Sequence, residues 1–313
     1  MQPNLSVNIG KLKLKNPVMV ASGTLGYAEE FRHFLDLKGL GAIVTKTITL
    51  KPRQGNRPPR TCETPSGMLN AIGLENPGID AFLRDKLPAL KKYKVPVIVS
   101  IASEDDPDEF IVMARKLDSI NAISAIELNI SCPNIKNHRL RDKKQPLISQ
   151  DPLTTYRLLT RVRKVTKKTL ITKLSPNVTS IGDIAQACER AGSDAVSLIN
   201  TLLGMSINIE NRRPKLASVC GGLSGPAIKP IAVRMVWEAY NKIRLPIIGM
   251  GGIMNSSDAV EFIIAGATAV SLGTVNFVDP AAAVSIIKGI REYCRCHNTG
   301  DIKELRGSIR IES

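Results

Sequence analysis

Three groups of residues in this chain could do chemistry together: a cysteine on a strand-end loop, a pair of lysines that close apolar runs, and a set of glycines near the C-terminus. The cysteine is Cys132 in "IELNISCPN", residues 126–134, where Ile126, Leu128 and Ile130 alternate with Glu127 and Asn129. That alternation reads as a short strand, and Pro133 stops a ladder or helix from continuing, so the thiol is expected on the loop that follows. The lysines are Lys46 and Lys173, each preceded by apolar residues. Lysines ordinarily occupy solvent-facing helices. Either one alone would serve as a rim salt bridge, whereas the two beside a phosphate site would stabilise an electron-rich ring. The glycines lie in "GMGGIMNSSDAVEFIIAGATAVSLGTVNF", residues 249–277. Gly251, Gly252 and Gly273, followed by Thr274, let backbone N–H groups approach a phosphate, and the next helix start adds its positive dipole; tight turns are the plainer use of the same glycines. Gly225 in "GGLSGPAIKP" precedes another proline-opened helix and offers a further backbone contact. Asn70, Asn129, Asn134 and Asn200 carry amides that donate and accept at once, as recognition of an imide-and-carboxylate heterocycle needs. Asn134, following a proline, suits a turn or cap as well.

These residues need a scaffold that brings them to one place. Eight apolar runs alternate with longer amphipathic ones: 18–22, 42–46, 97–101, 125–130, 170–174, 195–200, 247–251 and 269–273. Between them, Ile228, Ile231, Ala232, Met235, Val236 and Ala239 fall on one helical face. Asp151-Pro152 reads as an N-cap followed by a first-turn proline. The alternation shows no composition break, which argues for a single domain over residues 1–313, and eight such units close into an α/β fold of the (β/α)8 TIM-barrel type. A short N-terminal β-hairpin, "LSVNIGKLKLKNP", precedes it. A doubly wound sheet is the rival, but its glycine fingerprint would follow the first strand, where "VASGTLGYAEEF" is a poor match. At or just past the C-terminal end of each run stand Ser22-Gly23, Lys46-Thr47, Ser100, Asn129 with Cys132, Lys173, Asn200-Thr201, Gly251-Gly252 and Gly273-Thr274. In a barrel all of these meet on one rim.

Composition narrows the function classes. The 313 residues are 43% hydrophobic with few aromatics, which suits strands covered by helices. No apolar run approaches the roughly 18 residues that span a bilayer, and the start has no signal-peptide core, so a cytoplasmic protein is expected. The six cysteines form no CxxC pair, which speaks against zinc or an iron–sulfur cluster on this chain. The formal charge of +15 could serve nucleic acid, but the basic residues are scattered through helix-like segments without interleaved aromatics. A solvated basic surface that helps attract an anionic substrate is the preferred account.

The motifs "NAIGLENPG", "ELNISCPN", "KLSPNVTSI", "LINT", "GGLSGPAIKP", "GMGGI" and "LGT", in this order over nearly the whole chain, resemble the catalytic subunit of class 1B dihydroorotate dehydrogenases. "GLENPG" and "SGPAIKP" are closer to class 1B than to the fumarate-using class 1A, and Cys132 stands where the membrane-associated class 2 carries serine. The resemblance implies FMN held by Ser22, Lys46, Thr47, Ser100, Asn129, Lys173, Ile199, Gly225, Gly251, Gly252, Gly273 and Thr274. It implies dihydroorotate held by Lys46, Asn70, Ala71, Ile72, Gly73, Leu74, Asn129, Asn200 and Thr201, with no metal. Cys132 would be the base that removes the C5 proton while a hydride leaves C6 for the flavin. A thiol of ordinary pKa near ~8.5 can do so at neutral pH where lysine charge and backbone donors favour thiolate. The other five cysteines read as inert. A homodimer, and a partner subunit carrying FAD and a [2Fe–2S] cluster that passes electrons to NAD, follow from the same resemblance. The alternatives are a fumarate-using enzyme, a relative that oxidises another dihydropyrimidine, and a flavin- or pyrimidine-binding module without turnover. Two features depart from the family. Ser100 stands where an asparagine is usual, and its shorter reach would lose a flavin contact or bridge it by water. The stretch "IKNHRLRDKKQPLISQDP" after the cysteine loop is long, basic and free of glycine, where a substrate lid with a glycine pair is common.

Overall fold

The computed structural model describes residues 2–31, 33–34, 36–103, 106–131 and 148–311. Each of the eight apolar runs forms a short strand: β1 Val18–Val20, β2 Ala42–Val44, β3 Val97–Ile101, β4 Ala125–Asn129, β5 Thr169–Lys173, β6 Ala195–Leu198, β7 Ile247–Gly249 and β8 Ala269–Leu272. Every strand pairs in parallel with the next in sequence, and β8 pairs with β1, so the sheet closes into a barrel. Closure excludes the doubly wound alternative. The strands are short and buried along their whole length, because helices cover the outside and side chains fill the inside.

The connecting helices follow the sequence signals. Asp151 caps the helix Pro152–Arg163 by accepting from the Thr154 N–H at 2.6 Å. The helix Lys229–Lys242, entered through a 3₁₀ turn at Pro226–Ile228, buries Ala232, Met235, Val236 and Ala239 against the barrel. At the N-terminus Val7–Ile9 and Leu12–Leu14 form an antiparallel hairpin around Gly10, whose φ of +54° is the left-handed conformation glycine adopts cheaply.

One element has no counterpart in the sequence reading. Thr61–Thr64, Gly67–Asn70, Cys220–Ser224 and Leu202–Met205 build a four-stranded antiparallel sheet from the excursions after β2 and β6. Its central contact joins Leu69 to Leu223, residues far apart in sequence, and no local periodicity announces such a pairing. The sheet stands over the C-terminal end of the barrel and walls the cavity described next.

Candidate active site

A cavity of about 580 Å³ opens at the C-terminal rim. Strand ends supply its floor and the small sheet one wall. From the rim come Ser22 after β1, Lys46 and Thr47 after β2, Asn129 at the end of β4, Lys173 at the end of β5, and Ile199, Asn200 and Thr201 after β6. Gly251 and Gly252 after β7 and Gly273 and Thr274 after β8 complete the circuit. From the sheet and its flanks come Asn70, Ile72, Gly73, Leu74 and Gly225. Residues spread over some 250 positions thus meet at one cavity, which is what parallel closure of the barrel does to strand ends.

Two of the expected contacts do not line it. Ala71 points away from its neighbours Asn70 and Ile72, into a small apolar cluster with Leu69 and Leu216; successive residues of an extended segment face opposite sides. Ser100 is fully buried behind the wall, its hydroxyl donating to Glu127 Oε1 at 3.0 Å and lying 3.0 Å from Thr47 Oγ1. It is too short to pass Thr47. Cys132, Asn134 and the basic stretch through residue 147 lie outside the described residues.

The amides form a network around Ser131, directly before Cys132 in sequence. Asn129 donates from Nδ2 to Thr47 Oγ1 at 3.2 Å and accepts at Oδ1 from the Ser131 hydroxyl at 3.1 Å. Asn200 Nδ2 donates to Ser131 Oγ at 3.0 Å and to the Ser131 carbonyl at 3.2 Å. Ser131, the last described residue before Cys132 and one that sequence reasoning passed over, is therefore tied to two side chains of the cavity wall. Its position next to a candidate thiol was the only clue available.

Lys173 is 5% exposed, and neither its ammonium group nor that of Lys46 has a hydrogen-bond or ion-pair partner among the described residues. A buried ammonium without a partner is costly, and an anionic ligand in the cavity relieves that cost. In the sheet, Lys173 registers with Asn129 on one side and Ser197 on the other.

The glycine end differs in one respect from expectation. The helix Ser256–Ile264 does not offer its first amides freely: Asn255 Oδ1 accepts from the Asp258 N–H, and Asp258 Oδ2 accepts from the N–H groups of Met254 and Asn255. Lys229 Nζ then bridges Asp258 and Glu261 at 2.7 Å each, and these partners hold its pKa above the usual lysine value. What remains for an anion is the backbone. The N–H groups of Gly251, Gly252 and Gly273 have no partner among the described residues. Gly252 has φ +77°, and a Cβ there would lie 2.7 Å from Lys229 Cβ and 2.8 Å from the Gly225 carbonyl oxygen, so only glycine fits.

Sequence reasoning also missed several wall residues. Met68 and Thr61 belong to the unforeseen sheet, Glu75 is ion-paired to Arg60 at the mouth, and Phe277 is 55% exposed beside Thr274. Among the described residues no cluster of three or more His, Cys, Asp or Glu side chains is arranged as metal ligands would be, and no helix is long and apolar enough to cross a membrane. Cys188 is fully buried and burial pushes its thiol up to about 12, which removes it from thiolate chemistry.

Comparison with known proteins bears directly on this cavity. The sequence model described as "Dihydroorotate dehydrogenase" matches residues 4–294. The chain belongs to the dihydroorotate dehydrogenase family. Among curated members, one from Trichlorobacter lovleyi is 52% identical over 99% of both chains and is named "Dihydroorotate dehydrogenase B (NAD(+)), catalytic subunit". Members of the same name from Geotalea uraniireducens and a Thermoanaerobacter species are 50% and 52% identical, each over at least 98% of both chains. The dihydroorotate dehydrogenase family is flavin-dependent, and this cavity fits such a group. A Cβ placed on Gly23 or Gly273 would meet no protein atom within 4 Å, so space at the wall is kept clear at both points. Unpartnered amides at one end and unpartnered ammonium groups at the other match the phosphate and the electron-rich ring of a flavin nucleotide.

Proposed function

We propose that this chain is the FMN-binding catalytic subunit of a cytoplasmic, NAD-linked dihydroorotate dehydrogenase, acting as one domain over residues 1–313. It would oxidise (S)-dihydroorotate to orotate in pyrimidine biosynthesis. The observation that carries the reading is the convergence of Lys46, Asn129, Lys173 and Asn200 with the glycine amides on one cavity of a dihydroorotate dehydrogenase-family barrel.

In this reading Gly225, Gly251, Gly252, Gly273 and Thr274 hold the phosphate end of FMN, and Ser22, Lys46, Thr47, Asn129, Lys173 and Ile199 surround its ring. When bound, FMN supplies the two-electron acceptor. Asn70, Ile72, Gly73, Leu74, Asn129, Asn200 and Thr201, with Lys46, orient the substrate carboxylate and imide. Cys132 takes the C5 proton. Ser131, directly before it in sequence, is anchored to Asn129 and Asn200.

The first test is an anaerobic spectrum of the purified FMN-loaded chain mixed with dihydroorotate or dihydrouracil. Bleaching of the yellow flavin by dihydroorotate alone is the expected result. Bleaching by dihydrouracil would reassign the substrate, and binding without bleaching would make the chain a module without turnover.

The electrons need an exit. Relatives are named as NAD(+)-dependent catalytic subunits, which implies a second subunit for them. For this chain we infer a partner that carries FAD and a [2Fe–2S] cluster, docked on a homodimer. Exposed apolar side chains support docking surfaces: Leu203 and Met205 share one face of an edge strand, Ile207 and Ile209 continue it, and Phe277 with Val278 sits at the cavity mouth. The isolated chain should reduce dyes but not NAD, and co-purified partner subunit should restore NAD reduction. Efficient turnover of the isolated chain with fumarate would place it with the fumarate-using enzymes instead.

A further inference from the structure

Beneath the cavity floor, a buried carboxylate is connected to the wall through hydroxyl groups. Glu127 is 2% exposed and projects from β4 two residues before Asn129, hence on the same inner face and one layer deeper. Ser197 Oγ donates to Glu127 Oε2 at 3.0 Å, and Ser100 Oγ donates to Glu127 Oε1 at 3.0 Å. Ser100 lies 3.0 Å from Thr47 Oγ1, which in turn lies 2.9 Å from Ser22 Oγ and 3.2 Å from Asn129 Nδ2.

Counting protons fixes the direction of this chain. A hydroxyl has one proton and two lone pairs. Ser100 gives its proton to Glu127, so Thr47 must give its own to Ser100. Thr47 then accepts from Asn129 Nδ2, which can only donate, and its remaining lone pair accepts from Ser22. Ser22, on the cavity wall, has spent its proton and shows the cavity lone pairs alone.

We propose that Glu127 is a positioning residue that acts through Ser100 and Thr47 to hold Ser22 as an acceptor-only group, and that this favours the reduced state of the bound flavin. The inference rests on the FMN reading above. Two-electron reduction adds a ring N–H to a flavin, so an acceptor at the wall gains a partner on reduction, while a donor there would compete with it. Ser100 is the link that makes the chain continuous. Removing it lets the Thr47 proton turn to Ser22 and the Ser22 proton turn into the cavity.

The test is the reduction potential of the FMN-loaded protein, measured by equilibration with a reference dye, in Ser100→Ala and Ser197→Ala. Ser100→Ala should weaken reduced relative to oxidised FMN binding about tenfold, equal to a fall of about 30 mV for a two-electron couple. Ser197→Ala also removes one hydrogen bond from Glu127 but leaves the chain to Ser22 whole, and its potential should stay at the native value. Loss of a merely structural bond would move both variants alike, so equal shifts would overturn the proposal, as would an unchanged or raised potential in Ser100→Ala. A native chain that binds no FMN would instead sink the flavin reading.

Discussion

Cys132→Ala is expected to retain FMN and to lose most of the reduction of that flavin by dihydroorotate. Removal of a general base costs typically about 10² to 10⁴ in rate, and the C5 proton has to leave as the C6 hydride does. The substitution removes the base alone, so the oxidised spectrum and the affinity for orotate should stay near native. Cys132→Ser should be slow and gain rate at high pH, because a hydroxyl is a far weaker acid than a thiol. The measurement is stopped-flow bleaching of the flavin under anaerobic conditions. Near-native reduction by Cys132→Ala would remove the thiol from the mechanism. Two features make the thiol the leading choice. Ser131, which directly precedes it, is bonded to Asn129 and Asn200 on the cavity wall. Cys188, by contrast, is shut in the core with its thiol pushed up to about 12.

How much of this was legible in the sequence follows from which interactions are local. The eight barrel strands could be found because each is an apolar run bounded by polar or glycine residues, and parallel strands buried on both faces must read that way. Their ends could be placed on one rim because closure leaves no choice. The four-stranded sheet over the cavity could not be found. Its strands are short, three of the four contain glycine, and Gly67–Asn70 pairs with Cys220–Ser224 across a large stretch of chain. The same limit applied to Ser100. Its place at a strand end suggested the cavity, yet whether a side chain reaches it or stops behind Thr47 depends on length and on Glu127 from the next strand. Likewise the dipole expected of the helix Ser256–Ile264 is answered by its own Asn255 and Asp258, a capping arrangement readable in "NSSD" once the helix start is fixed.

Lys173 sets up the second large effect. Its ammonium is almost wholly buried and unpartnered among the described residues, and it lines the cavity beside Asn129. A group in that position is destabilising in the empty protein and stabilising once negative charge arrives. Replacing it should therefore act with opposite sign on the two states. Lys173→Met keeps an apolar stem of similar length while removing the charge, so the flavin-free protein should melt no lower than the native chain. The flavin-loaded protein should be affected most where charge accumulates, on reduction of the ring. Loss of one preorganised cationic or hydrogen-bonding group at a developing negative charge typically costs about 10² to 10³. Taken as a change in relative affinity for reduced and oxidised FMN, that corresponds to a fall in reduction potential of about 60 to 90 mV, at about 30 mV for each factor of ten. Thermal melts of the apo form and dye-equilibrated potentials of the loaded form check the two halves separately. A potential that stays level or rises in a variant still holding FMN would place Lys173 away from the ring, whatever its effect on affinity. A flavin-free variant that melts well below the native chain would show that the lysine supports the fold rather than waiting for an anion.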